Sequence, residues 1–213
     1  ANGLQDTRVS AEKVAALLDC APNDVVICST GLIGSRLPMD KLMAGVDAAF
    51  AELSDDGGAN AALAIMTTDT KPKTAAESGA GWSIGGMAKG AGMLAPALAT
   101  MLVVITTDAV ADSAALDTAL RRAAGVTFDR LDVDGATSTN DTVLLLSSGA
   151  SQLRVAQDAL DAAVFAACDD LAAQLMADAE GVTKRVIVEV VRAADDDQAL
   201  VGARTIARDS LVK

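Results

Sequence analysis

The 213-residue sequence predicts a mixed fold of the α/β or α+β class. Continuous apolar runs rich in β-branched residues are typical of buried strands, and the clearest are VVICS (25–29), MLVVIT (101–106) and TVLLLSS (142–148). Between them lie stretches with apolar residues three or four positions apart, the spacing of an amphipathic helix. Hydrophobic residues make up 51% of the chain and aromatic residues only 2%, so we expect a core of Ala, Leu, Val, Ile and Met.

In the first half of the chain, helix and strand signals alternate irregularly. The first ten residues show no pattern of either kind. Ser10 precedes a predicted helix over 11–20, and Pro38 suits the start of a helix over 39–53. The segments that follow are predicted as a polar turn (54–60), a small-residue strand AALAIMTTDT (61–70), a loop KPKTAAESGAG (71–81) and a strand within GWSIGGMAK (81–89).

The second half of the chain begins with a Gly-rich approach to an apolar run, which places Thr100 at the start of a buried strand. Asp112 is a suitable N-cap for a helix that runs to Ala124, and Gly125 is a suitable stop. The remaining predicted elements are a short strand (126–131), a long amphipathic helix (151–179) capped by Gly181, a strand (183–194) and a final amphipathic helix (195–213).

The charge and the aromatic content exclude two classes of partner. The net charge is −12, and binding to phosphate groups needs clustered Lys and Arg, so we expect neither a nucleic acid nor an anionic membrane as partner. The sequence contains no Tyr and few other aromatic residues, so a stacking platform for bases is not expected.

The absence of histidine restricts the chemistry further. It excludes a Ser-His-Asp or Cys-His site within this chain and every His-ligated metal site. A nucleophile would have to be activated by a carboxylate, a lysine or an N-terminal amine. The three cysteines, Cys20, Cys28 and Cys168, are odd in number and set in apolar context, which predicts buried free thiols in a reducing compartment. With neither a signal peptide nor a long uncharged apolar run, a cytoplasmic location is expected.

Three clusters of polar residues follow or precede predicted strands, where sites are usually built. They are Ser29 to Gly31, Thr67 to Thr70, and Lys89 to Thr100. Glu180 adds a fourth signal, because a carboxylate at the end of a helix opposes the helix dipole. Each signal alone is weak, because threonines in strands usually serve packing, and lysines after glycines and carboxylates at helix ends are usually solvated. Neither a dinucleotide fingerprint nor a phosphate-binding P-loop is present.

Six blocks of sequence together resemble the glutamate N-acetyltransferase family, also called ornithine acetyltransferase. In chain order they are CSTGLIGSRLPMDKL (28–42), IMTTDTKPK (65–73), GGMAKGAGMLAPALATMLVVITTDA (85–109), STNDTVLLLSSG (138–149), EGVTKR (180–185) and IARDSLVK (206–213). The resemblance implies a layered α-β-β-α fold of the N-terminal-nucleophile-like, DOM type. Because the family's chains extend beyond both ends of this sequence, it is expected to be an incomplete version of that fold.

The resemblance implies that the chain cuts itself between Ala99 and Thr100. Residues 1–99 would then be the C-terminal part of an alpha chain and 100–213 the N-terminal part of a beta chain, the two forming one continuous structural unit. Thr100 would be the nucleophile, and its free α-amine, with a pKa of about 7.7–8.0, would be the base. This chemistry agrees with a sequence that lacks histidine.

The resemblance also assigns roles to other positions. Thr30 and Gly31 match an oxyanion-hole pair, which would stabilise the tetrahedral oxygen. Thr67, Lys89, Thr100 and Glu180 match substrate-binding residues, and Thr68 is the neighbour with which Thr67 is most easily confused. Lys89 would hold a substrate carboxylate, and Glu180 would pair with the ammonium of an amino acid.

The implied reaction is a ping-pong transfer of acetyl from N2-acetyl-L-ornithine to L-glutamate through acetyl-Thr100, a step of arginine biosynthesis. It requires neither a cofactor nor a metal, and acetyl-CoA is a second donor in some members of the family. The alpha and beta chains are expected to assemble as a heterotetramer. Two alternatives stay open: a self-processing N-terminal-nucleophile amidohydrolase or aminopeptidase, which would transfer the acyl group to water, and an inactive fragment.

Overall fold

A computed structural model describes residues 2–32, 34–92, 101–135 and 138–212. The chain forms two compact units, residues 1–60 and 61–213. The mixed α/β class predicted from the sequence is confirmed, since helices combine with a four-stranded sheet. Ala99 and Thr100, the residues of the predicted cleavage site, lie outside the described residues.

The first unit is built around two helices, α1 (Asn2–Leu18) and α2 (Met39–Ala51). Helix α1 begins nine residues earlier than the predicted start at position 11, because Ser10 and Thr7 bond back to carbonyls within the helix instead of capping it. Pro38 precedes α2 as predicted. The strand predicted over 25–29 is wrong: the segment pairs with no strand in the described part of the chain, and Val26 is 60% exposed.

The second unit contains the sheet. Its strands are β1 (Lys73–Ser78), β2 (Ser83–Lys89), β3 (Leu102–Thr107) and β4 (Thr142–Ser147), in that spatial order. The pairs β1–β2 and β2–β3 are antiparallel, and β3–β4 is parallel. The helices of this region are α3 (Gly58–Ala64), α4 (Ser113–Val126), α5 (Gln157–Ala177) and α6 (Asp196–Arg208).

The core of the second unit lies between one face of the sheet, α4 and α5. Small residues let the helix approach closely: a Cβ on Gly86 would lie 3.1 Å from Ile105 and 3.3 Å from Leu171 of α5. The buried positions of α5 recur three or four residues apart, as an amphipathic helix requires. They are Leu160, Val164, Ala167, Cys168, Leu171, Ala172 and Leu175.

Four further predicted elements of the second unit are wrong. The strand predicted over 61–70 is a short helix and a turn, because alanine favours a helix wherever packing does not prevent it. The loop predicted over 71–81 contains strand β1, and the strand predicted over 126–131 is a 3₁₀ turn at Phe128–Arg130. The strand predicted over 183–194 is extended chain that pairs with no described strand, and Ile187 is 80% exposed.

Helix boundaries also differ from the predicted ones. Asp112 caps α4 as predicted, accepting from Ala115 N–H at 2.9 Å, but the helix passes through Gly125. Helix α5 is shorter than predicted at both ends, and Glu180 lies three residues beyond it, so the dipole argument for Glu180 does not apply. Helix α6 ends at Arg208, where Asp209 takes an extended backbone conformation.

The strand directions bring four chain segments to one end of the sheet. Lys73 pairs with Ala88, Lys89 with Leu102, and Leu102 with Thr142. Strand β2 therefore ends where the other three strands begin. We call this the lysine end of the sheet, after Lys73 and Lys89.

Candidate active site

Lys89 is the last residue of β2 and is only 2% exposed. Burial lowers the pKa of its ammonium below the ordinary value; the carboxylates of Asp69, Asp141 and Glu180 oppose this effect, and Lys73 adds to it. Among the described residues, no carboxylate lies within 4 Å of Lys89 to form an ion pair. A buried cation with acidic neighbours but no ion pair among the described residues suits the binding of an anionic group.

Glu180 is attached to the segment that follows Lys89. Its N–H donates to Ala91 O at 2.6 Å, which brings the chain beyond α5 against the end of β2. Its carboxylate lies beside Gly92, where a Cβ would be 2.9 Å from Oε2. Position 92 therefore has to be glycine for the Glu180 carboxylate to occupy this place.

Thr67 reaches the same segment through Asp69. Its N–H donates to Asp69 Oδ2 at 3.2 Å, and Gly90 N–H donates to Asp69 Oδ1 at 2.7 Å. Burial would raise the pKa of Asp69, but the hydrogen bonds from Gly90, Lys73 and Thr67 outweigh it, so the pKa is lowered. Thr67 and its neighbour Thr68 are both exposed.

Lys73, the first residue of β1, is fully buried between two carboxylates. Its Nζ lies 2.6 Å from Asp69 Oδ1 and 2.6 Å from Asp178 Oδ2. Asp178 also accepts from Thr70, through the N–H at 3.0 Å and through the hydroxyl. Burial would raise the pKa of Asp178, but the hydrogen bonds from Lys73 and Thr70 prevail and hold it at about 2. The two carboxylates are therefore ionised at neutral pH, and each is paired with Lys73.

Met101, which follows Thr100 in the sequence, is held at the lysine end of the sheet. Its N–H donates to Asp141 Oδ1 at 2.7 Å, and its carbonyl accepts from Thr142 N–H at 3.0 Å. Both polar groups of its backbone are therefore anchored one residue after the predicted nucleophile. Asp141 is also one of the carboxylates whose charge acts on Lys89.

Thr30 and Gly31, the predicted oxyanion-hole pair, belong to the first unit. Thr30 is half-buried and lines a cavity of about 840 Å³, while Gly31 is exposed. Arg36 binds the Asp6 carboxylate of α1 through Nε at 2.9 Å and Nη2 at 2.7 Å. This two-point contact attaches the loop that follows Gly31 to α1.

The lysine end thus brings together three of the predicted site residues, Thr67, Lys89 and Glu180, around the segment 89–92. An ammonium and a carboxylate at one place complement the carboxylate and ammonium of an amino acid. Among the described residues, no group of three or more Cys, Asp and Glu side chains is arranged to hold a metal ion. In the same part of the chain, no helix has both the length and the hydropathy to span a bilayer.

The cysteines take no part in this arrangement. Cys168 is buried as predicted, and burial raises its pKa to about 12, which disfavours the reactive thiolate. The prediction of burial is wrong for Cys20, which is exposed, and for Cys28, which is half-buried. All three are free thiols.

Sequence reasoning missed the charged residues that support the site, namely Lys73, Asp141 and Asp178. Lys73 was assigned to a loop, although the alternating burial of Lys73 and Ala75 is that of a strand. A lysine at an inward-facing strand position signals a buried partner. No local pattern marks Asp178 as that partner, since it lies 105 residues away in the sequence.

Comparison with known proteins gives one consistent result. The model of the ArgJ family matches residues 1–213. The chain is 63% identical to the arginine biosynthesis bifunctional protein ArgJ of Mycolicibacterium paratuberculosis over 99% of this chain and 54% of that protein, and 59% identical to its Streptomyces coelicolor counterpart over 99% and 55%. The chain thus spans about half the length of these curated relatives. A crystal structure of the Bacillus halodurans protein of the same name is 39% identical, with a TM-score of 0.47, over 53% of this chain and 55% of that one.

Proposed function

The chain belongs to the ArgJ family, and from that premise we propose that it is part of an acyltransferase of arginine biosynthesis. The proposed reaction transfers acetyl from N2-acetyl-L-ornithine to L-glutamate. We also propose a cytoplasmic location, in keeping with the biosynthetic role. Residues 1–99 and 100–213 would come from the alpha and beta chains of a processed precursor, which assemble as a heterotetramer.

The proposed cycle has two steps on Thr100. Its hydroxyl oxygen attacks the acetyl carbonyl of N2-acetyl-L-ornithine while the free α-amine accepts the hydroxyl proton. The tetrahedral intermediate then breaks the C–N bond, the proton passes to the leaving nitrogen, and ornithine departs. The amine of L-glutamate attacks the acetyl ester in the same way and regenerates Thr100. Thr30 and Gly31 are proposed to donate hydrogen bonds to the carbonyl oxygen in both steps.

The observation that carries this proposal is the convergence at the lysine end of the sheet. Lys89 supplies a buried ammonium without an ion pair among the described residues, and Glu180 supplies a carboxylate held over Gly92. The residue that follows Thr100 is anchored at the same end by Asp141. A substrate bound through its carboxylate and ammonium to Lys89 and Glu180, with Thr67 at the same segment, would therefore lie near the start of β3.

Autoproteolysis is tested by the intact mass of the full-length protein under denaturing conditions. We expect two fragments, the second of which begins at Thr100, and a single uncut species from Thr100→Ala. The control Thr68→Ala, at an exposed position, should be cut like the parent protein. An uncut parent after prolonged incubation, or a Thr100→Ala variant that still cleaves, would contradict the proposal.

Acetyl transfer is tested with N2-acetyl-L-ornithine that carries a deuterated acetyl group. We expect labelled N-acetyl-L-glutamate and an acetylated fragment that begins at Thr100, both absent from Thr100→Ala. Release of labelled acetate in place of N-acetyl-L-glutamate would assign the protein to the amidohydrolases instead. The same assay with labelled acetyl-CoA decides whether it is a second donor.

A further inference from the structure

We propose that Lys73, Asp69 and Asp178 together position the substrate-binding groups of the site, an inference that rests on the proposed function. Lys73 is itself a positioning residue, because its buried ammonium is occupied by two carboxylates at 2.6 Å and by Lys71 O at 3.5 Å. The inference adds a second set of charged residues, with a separate role, to the predicted contacts Thr67, Lys89 and Glu180.

The Asp69 carboxylate accepts hydrogen bonds from three donors. Besides Lys73, it accepts from the N–H groups of Gly90 at 2.7 Å and Thr67 at 3.2 Å. Gly90 directly follows Lys89. One carboxylate thus joins the backbone of Thr67, a predicted substrate contact, to that of Gly90, the residue after Lys89, and Lys73 keeps that carboxylate ionised and oriented.

Asp178 provides the corresponding link to the third contact. It lies one residue beyond α5 and two residues before Glu180, and it binds both Lys73 and Thr70. Glu180 N–H in turn donates to Ala91 O at 2.6 Å. The end of α5, the turn at Thr70 and the end of β2 are therefore joined in a closed set of contacts.

Stability alone does not explain such a network. Both ion pairs are buried, and the desolvation of buried charges offsets most of the Coulombic gain, so apolar residues of similar volume often serve equally well. The contacts beyond the ion pairs run to the backbone of Thr67, Thr70 and Gly90, in loops and at a strand end. Directional bonds to such segments set their geometry, which apolar packing does less specifically.

Asp69→Asn tests the link between Thr67 and Gly90 while it keeps a side chain of nearly the same size. A carboxylate can accept from all three donors, whereas the amide oxygen of Asn accepts from at most two and its NH₂ group opposes the third. In the full-length protein, we expect the KM for N2-acetyl-L-ornithine and L-glutamate to rise about tenfold, with kcat within about threefold of the parent value and cleavage at Thr100 intact. Asp178→Asn should raise the same KM values by a smaller factor.

The matched control is Val164→Ala, which removes two buried methyl groups from α5 more than ten residues from Asp178. Val164→Ala should lower stability about as much as Asp69→Asn does, and it should leave both KM values unchanged. An equal rise in KM for this variant would reduce the effect of Asp69→Asn to general destabilisation and overturn the inference.

Amide hydrogen exchange provides a readout that does not depend on activity. In Asp69→Asn, we expect exchange in peptides covering 89–92 and 178–182 to accelerate at least tenfold, while peptides from β3 exchange at the parent rate. Unchanged exchange at 89–92, or accelerated exchange without a change in KM, would overturn the inference. A parent protein without acetyl transfer would overturn the proposed function alone, since the exchange rates still decide whether the three segments are coupled.

Discussion

Two regions at the lysine end of the sheet each bury a lysine, in opposite surroundings. In the Lys73 region, comprising Asp69, Thr70, Lys73 and Asp178, the ammonium lies 2.6 Å from each of two carboxylates. In the Lys89 region, comprising 89–92 and Glu180, the ammonium is equally buried but no described carboxylate lies within 4 Å of it. The charges of the first region are paired with one another, whereas Lys89 has no ion-pair partner among the described residues. The first lysine is therefore part of a structural network, and the second is the one that we propose for substrate binding.

The largest difference between the regions is expected in stability. Lys73→Met leaves two buried carboxylates without their cation, and breaking a buried pair in this way costs about 3–5 kcal/mol. Urea unfolding of the full-length protein measures the effect as a fall in midpoint. The control Lys41→Met, at an exposed position of α2, should change the free energy of unfolding by less than about 0.5 kcal/mol. If Lys73→Met lowered the free energy of unfolding by less than about 1 kcal/mol, the Lys73 region would not differ from the Lys89 region in its contribution to stability.

Lys89→Met should leave stability unchanged and reduce acetyl transfer, the opposite of what we expect to dominate in Lys73→Met. Because burial lowers the pKa of Lys89, its charged form is less favourable in the folded state than in water, and an uncharged residue of similar length should not reduce stability. Acetyl transfer should fall about 100-fold in kcat/KM, which corresponds to about 2.7 kcal/mol for a lost contact with a charged group. Steady-state assays and urea unfolding on one preparation measure the expected fall in kcat/KM and the expected unchanged stability. A variant that is destabilised like Lys73→Met would show that Lys89 is also structural.

Acid should weaken the Lys73 region first. The pKa of Asp178 is lowered to about 2 from 3.8, so its stabilising contribution is complete above pH 3.8 and is lost as the pH falls through 2. This shift corresponds to about 2 kcal/mol. The pKa of Asp69 is lowered as well, so its protonation in acid should reduce the stability further. Unfolding measured between pH 5 and pH 2 should therefore show a shallower decline for Asp178→Asn than for the parent protein; parallel curves would contradict the assignment.

The smallest expected effect concerns the place of Glu180 in the Lys89 region. Gly92→Ala puts a Cβ about 2.9 Å from Glu180 Oε2 and displaces that carboxylate. We expect KM to rise about fivefold, or about 1 kcal/mol, with little change in stability. The control Gly125→Ala places its Cβ in open space within α4 and should leave KM unchanged. A Gly92→Ala variant with the KM of the parent would mean that the Glu180 carboxylate does not contact substrate.

Local signals predicted some elements correctly and failed for others. Strands β3 and β4 were predicted because their own residues are apolar and β-branched, and α4 was predicted from the cap at Asp112, but the similar run VVICS (25–29) is not a strand. Strand β1 was missed because KTAAES carries little β propensity and is a strand only through its pairing with β2. The apolar segment that contains Ile187 was predicted as a strand, but no described strand pairs with it.

Composition and contiguous motifs were enough to predict the mixed α/β class, to exclude histidine chemistry and to identify the family. The same motifs supplied the candidates Thr67, Lys89 and Glu180. That these three meet around residues 89–92, and that Asp69, Lys73 and Asp178 join them, is visible in the folded chain alone. The reason is physical: a contact between residues 105 positions apart arises from strand register and helix packing, which no local pattern encodes.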